Sequence, residues 1–222
     1  MIAVILDDIG LDIKHSYDAI GLDAHLTLSF LPYGERLDDM IQQARQNGHE
    51  IMLHLPMEPL SKGINPGPNA LLTSLSTQQN LDRLDWNLKR MQHYVGVNNH
   101  MGSKFTSNAD KIKPILQAIQ QQGLLFLDSV TIKDSKAYRI ARNLNMPYAV
   151  RDVFIDHDIN QQAIDGQLDL VENTAKRNGF AVAIGHPHAL TLKALKQWLP
   201  QIKKKGMLIV PISHIVKRQQ RL

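Results

Sequence analysis

The chain contains no cysteine, which excludes disulfides, thiolate-bound zinc, iron–sulfur clusters and a thiol nucleophile in one step. A metal in this protein would have to be held by imidazoles and carboxylates. Aromatic residues are scarce: five Phe, five Tyr and two Trp in 222 residues. They do not interleave with basic residues as a surface for single-stranded nucleic acid would, so nucleic acid is not an expected partner. No window reaches the roughly 18 consecutive apolar residues of a membrane span. Nor does a charged-then-apolar leader precede the first apolar run, a feature that separates neither a domain of an exported protein nor a cytosolic one.

What is present describes a folded globular chain. Apolar residues make up 43% and charged residues 21%, ordinary values that rule out a disordered or collagen-like chain. The length suits a single large domain spanning residues 1–222, since cores of this size are sustained without division. Net charge is +4 and the sequence pI about 9.2. The basic residues are scattered except near the end, at Lys203, Lys204, Lys205, Lys217, Arg218 and Arg221, where a solvated face and chain end explain them best.

Short β-branched runs alternate with amphipathic stretches along the whole chain. The pattern predicts strands over Ile2–Leu6, His25–Phe30, Glu50–His54, Tyr94–Val97, Leu124–Leu127, Pro147–Val150, Phe180–Ile184 and Met207–Pro211, each apolar enough for burial on both faces. Helices are predicted over stretches such as Arg36–Asn47, Gln78–His93, Ala109–Gln122 and Asn160–Asn178. Gly48, Gly123, Gly179 and Gly206 stand where helices should end in a left-handed residue, and Ser76 and Asn108 sit at N-cap positions. This β-α cadence predicts an α/β fold of parallel strands, a (β/α) barrel first and an open doubly wound sheet second.

In such folds catalytic groups come from the C-terminal ends of the strands. Asp7 and Asp8 follow the first run, His54 the third, and Asn98, Asn99 and His100 the fourth. Asp128 follows the fifth, Arg151 and Asp152 the sixth, His186 and His188 the seventh, and His214 the last. Two adjacent carboxylates closing a buried strand repel each other and lose hydration unless a cation offsets them. Asp8, His54 and His100 can supply one carboxylate and two imidazoles, the donor set of catalytic zinc with a position left for water. Manganese, nickel or cobalt could use the same ligands. Asp7 then serves as base and His186 as the acid for the leaving group, while His188 orients His186 or touches substrate.

ILDDIG at Ile5–Gly10, HEIMLHLPMEP at His49–Pro59, NNHMGS at Asn98–Ser103, FLDS at Phe126–Ser129, RDVFID at Arg151–Asp156 and AIGHPH at Ala183–His188 resemble the motifs of the divergent polysaccharide deacetylases. These are an offshoot of the NodB-homology carbohydrate esterases, and the motifs come in the same order. The resemblance implies a distorted (β/α) barrel of seven or eight parallel strands, which leaves room for all eight runs or for one fewer. It also implies metal-dependent removal of acetyl groups from an N- or O-acetylated poly- or oligosaccharide, and a periplasmic or secreted location. It carries the base onto Asp7, metal ligands onto Asp8 and His54, and the acid onto His186. After His54 no second imidazole follows at the usual spacing, so the third ligand falls to His100, then Glu58, then His188. The usual arginine beside the base is replaced by Asn98 and Asn99, a charge that Arg151 can supply by pairing with Asp7 or Asp128. Asp152 is grouped with these supporting residues. A barrel that binds carbohydrate or scaffolds the envelope without efficient hydrolysis is the alternative. A metal-dependent phosphoesterase ranks last, for want of a glycine-rich phosphate cradle.

Overall fold

A computed structural model describes residues 1–219; Arg221 of the basic finish lies outside them. The first half runs β1 (Ile2–Ile9), α1 (Ile13–Ile20), β2 (Thr27–Phe30), α2 (Leu37–Gln46), β3 (Glu50–Met57), α3 (Thr77–Leu88) and β4 (Gly96–Met101). There follow α4 (Ser103–Ser107), α5 (Ala109–Gln121), β5 (Leu125–Asp128), α6 (Ala137–Asn143), β6 (Tyr148–Val150) and β7 (Val153–Phe154). The chain then continues through α7 (Gln161–Asn178), β8 (Ala181–Gly185), α8 (Ala189–Lys204) and α9 (Ile212–Gln219). Two compact units result, one of residues 1–30, 34–51 and 151 onward, the other of residues 31–33 and 52–150.

In the first unit the strand order is β2-β1-β8-β7, all parallel. β1 is its centre: Ile2 to Leu6 are fully buried and pair residue by residue with Ala181 to Gly185 of β8. In the second unit β3, β4, β5 and β6 pair in sequence, again parallel. Continuous apolar runs form these strands because helices cover both faces of a parallel sheet.

The helix termini follow local chemistry. Ser76 caps α3 in a reciprocal box with Gln79, and Asn108 accepts the Lys111 N–H at the start of α5. Gly48, Gly123, Gly179 and Gly206 all have φ between 72° and 82°. At Gly179 that conformation lets its N–H return to the Ala175 carbonyl and stop α7 before β8.

The run Met207–Pro211 is not a strand. Ile209 makes a single bridge to Ile2, and Pro211, having no N–H, cannot extend the ladder. Its place among the eight is taken by the two-residue β7, too short to stand out in a sequence pattern. His214, expected beyond that run, is an exposed residue of α9. α3 ends at Leu88 rather than His93, which has a left-handed φ of 66°.

Candidate functional site

Each unit carries a polar cluster at the C-terminal ends of its strands. In the first unit, β1 is apolar to Leu6 and polar at Asp7 and Asp8. Between Leu6 and Ile9 its register against β2 shifts, and Asp8 adopts a left-handed φ of 59°. A bulge of this kind breaks the strict alternation of strand side chains, so neighbouring carboxylates need not face opposite ways. Asp7 is buried, and Asp8 Oδ2 lies 4.0 Å from Nε2 of His186.

His186 immediately follows β8 and is held by Asp156, two residues past β7. The Nδ1–H of His186 donates to Asp156 Oδ1 at 3.0 Å. Its backbone N–H and the Thr191 hydroxyl both donate to Oδ2, at 2.7 and 2.8 Å. The Asp156 side chain is completely buried. Burial works to raise its pKa, but the bonds and charge of His186, with Thr191, hold the carboxyl below the usual range. Burial likewise works to lower the pKa of His186. The Asp156 bond and charge, joined by Asp7 and Asp8, outweigh it and push the imidazole up to about 9. The ring is a cation at neutral pH with Nε2 directed toward Asp8. Phe154 packs edge-on against it at 5.5 Å, and the His188 ring lies 5.7 Å away. Asp156, His186 and His188 bring ligand atoms within 4.8 Å of one another, but the Asp156 oxygens already carry three hydrogen bonds, an arrangement that orients an acid.

In the second unit His54 and His100 lie within β3 and β4 rather than beyond them. Polar side chains do not interrupt a ladder made by the backbone, and His54 stands in register with Asn98. His54 is buried and its Nδ1–H donates to Asn98 Oδ1 at 2.9 Å. The Asn98 amide in turn donates to Ser129 Oγ at 3.2 Å. This chain sets the tautomer and makes Nε2 the basic nitrogen, the arrangement typical of a metal-binding histidine. The His100 ring stands edge-on to His54, 4.9 Å between centroids.

The remaining expected site residues have structural partners. Both oxygens of Glu58 are engaged, one by the Lys104 ammonium at 2.8 Å and the other by the N–H and hydroxyl of Thr73 at 2.6 Å. It pins the loop after β3, and its oxygens are not offered to a metal. Asp128 is fully buried and receives bonds from the Val130 N–H, the Ser135 hydroxyl and the Tyr138 N–H. It thereby ties the end of β5 to α6. Asn99 bonds the Met101 carbonyl and the Ser129 N–H. Asp152 accepts the Val182 N–H at 2.8 Å, near the start of β8 and so at the opposite end of that strand from His186. The Arg151 guanidinium lies 5.1 Å over the Phe154 ring. Asp156 is the group for which the sequence pattern suggested no role, and Asn98 was read there only as a strand-end residue standing in place of the usual arginine.

A sequence model of the divergent polysaccharide deacetylases matches residues 4–216. The chain belongs to that family. An uncharacterized Agrobacterium tumefaciens C58 protein, ATU2773, has a crystal structure that superposes with a TM-score of 0.94 at 32% identity, covering 96% of this chain and 88% of that one. The uncharacterized protein YibQ of Escherichia coli (strain K12) is 34% identical over 197 residues, or 88% of this chain and 61% of YibQ. The chain thus spans less than two thirds of that relative. The peptidoglycan deacetylase PdaC of Bacillus subtilis shares the fold, with a TM-score of 0.55 at 18% identity over 100% of this chain and 93% of that one. The architecture is therefore the α/β, NodB-like deacetylase fold expected from the motifs. Among the described residues no helix is long and apolar enough to cross a membrane.

Proposed function

We propose that the protein is a metal-dependent hydrolase that removes acetyl groups from an N- or O-acetylated carbohydrate. The observation that carries this reading is the buried Asp156 carboxylate holding His186 with its Nε2 toward Asp8. A histidine so anchored and charged is a proton donor, a role a binding protein would not require. Membership of the family supports the same class of reaction.

Asp8, His54 and His100, the donors read from the ends of the first, third and fourth apolar runs, are the ligand set of this proposal. The donor chemistry fits a divalent ion, zinc foremost: one carboxylate and two imidazoles without thiolate, one imidazole already fixed in the ligating tautomer by Asn98. When bound, the ion supplies Lewis acidity to a water and to the acyl oxygen. Asp7, buried in β1, takes the proton from the attacking water. His186 passes its Nε2 proton to the sugar nitrogen or oxygen as the acyl bond breaks, and Asp156 keeps the ring aligned throughout. The natural setting of such a substrate is the periplasm or the cell exterior.

The test combines metal analysis with acetate release from acetylated oligosaccharides. Asp7→Asn and His186→Gln should each lower kcat by about 10²–10⁴-fold while retaining metal, and Asp8→Ala and His54→Ala should lose the metal. Acetate release unaffected by His186→Gln, or no metal uptake after reconstitution, would overturn the proposal.

A further inference from the structure

Outside the candidate site, two adjoining cavities of about 460 and 520 Å³ run along α8 in the first unit and share Asp23, Leu199 and Pro200. The floor is apolar, formed by Leu22, Leu192, Leu199, Pro200 and Leu208. Leu208 is 62% exposed, while its neighbours Met207 and Ile209 are half-buried. One wall is basic. Lys193, Lys196, Lys203 and Lys204 are exposed along α8 and form no ion pair among the described residues. Leu192, Lys196, Leu199 and Lys203 recur at spacings of three and four, so charge and floor follow one line on the helix. From Leu192 to Lys203 that line extends about 16 Å, or three helical turns.

We infer that this groove docks an acidic amphipathic helix from a partner protein, its apolar side on the floor and its carboxylates against the α8 lysines. Three candidate occupants are distinguished by the charge and shape of the groove. A second copy of this chain carries the same net charge of +4 and is repelled. An anionic bilayer is flat, whereas the groove is concave; of the acidic residues in its lining, Asp18 is already paired with Lys14 at 3.1 Å, which leaves the α8 lysines as the dominant charge. A helix with a leucine stripe flanked by glutamates satisfies both the floor and the lysine wall.

The test uses a fluorescein-labelled synthetic helix of about five turns with leucines on one side and flanking glutamates, followed by anisotropy. Wild-type protein should bind it, and Lys193→Glu/Lys196→Glu should weaken binding roughly tenfold or more. A peptide with lysines in place of the glutamates should show the reverse preference. If that variant misfolds by circular dichroism, Lys203→Glu/Lys204→Glu provides the same readout. Three results would overturn the inference. Charge reversal could leave affinity within about twofold, or a glutamate peptide lacking leucines could bind equally well. Alternatively, the protein could sediment with vesicles of phosphatidylcholine and phosphatidylglycerol without being displaced by the peptide.

Discussion

Asp156 shows how one buried carboxylate fixes a neighbouring histidine. It bonds both the ring and the backbone of His186 and is itself bonded by Thr191, so the imidazole is held in one orientation with Nδ1 protonated. Asp156→Asn should lower kcat by about 10²-fold with the circular dichroism spectrum unchanged, because the amide fits the space but no longer holds a cation. Asn98 plays a comparable part toward His54. Asn98→Ala should weaken zinc affinity by about 10–100-fold, measured by competition with a chelator, while Glu58→Ala leaves it unaltered. Asp7, Asp8, His54, His100 and His186 were legible in the sequence because polar residues that close or interrupt apolar runs are conspicuous. Asp156 was not, and Asn98 was legible as a strand-end residue but not as the partner of His54, since what each bonds lies across the sheet: His186 is thirty residues from Asp156, and His54 forty-four from Asn98.

Among the elements, the irregular strand ends matter most. Asp8, Met101 and Val130 are non-glycine residues with φ of 59°, 53° and 48°, at or just past the ends of β1, β4 and β5. Left-handed backbone at such residues costs about 1–3 kcal/mol and collects at functional sites. At Gly96, the first residue of β4, the constraint is close approach instead: an added Cβ would come within 2.5 Å of the Leu125 carbonyl oxygen. Gly96→Ala should therefore destabilise by about 1–3 kcal/mol through overpacking. Gly123, which ends α5, has open space around it and a φ of 72°. Gly123→Ala should cost about 1–2 kcal/mol from backbone conformation alone. Urea midpoints of the two variants measure the difference. Strand existence was readable from apolar runs, but strand length was not, because β3 and β4 continue through His54 and His100 on backbone pairing that composition does not reveal.

For the molecule as a whole, His49 links stability to pH. It is buried, donates from Nε2 to the Ile20 carbonyl at 2.9 Å and accepts the Leu26 N–H at Nδ1. Burial first, then the nearby charge of His25, lowers its pKa below 6.5, against the opposing effect of the Ile20 bond. The folded state thus binds this proton less readily than the unfolded chain. Stability from His49 is complete above about pH 6.5 and declines as pH falls through the depressed folded value. His49→Gln should flatten the change in urea midpoint between about pH 7.5 and 5, even though it is destabilising at both. The groove along α8 belongs to this scale too, since it joins α1, α8 and the segment before α9. The sequence alone determined the α/β cadence, the helix stops at glycine and the family, because each is written in local periodicity, backbone preference or ordered motifs. Tertiary structure decided which polar residues are tied into local hydrogen bonds. Glu58 and Asp128 look like Asp7 and Asp8 in sequence, and the bonds that engage both of their oxygens come from residues that folding brings to them.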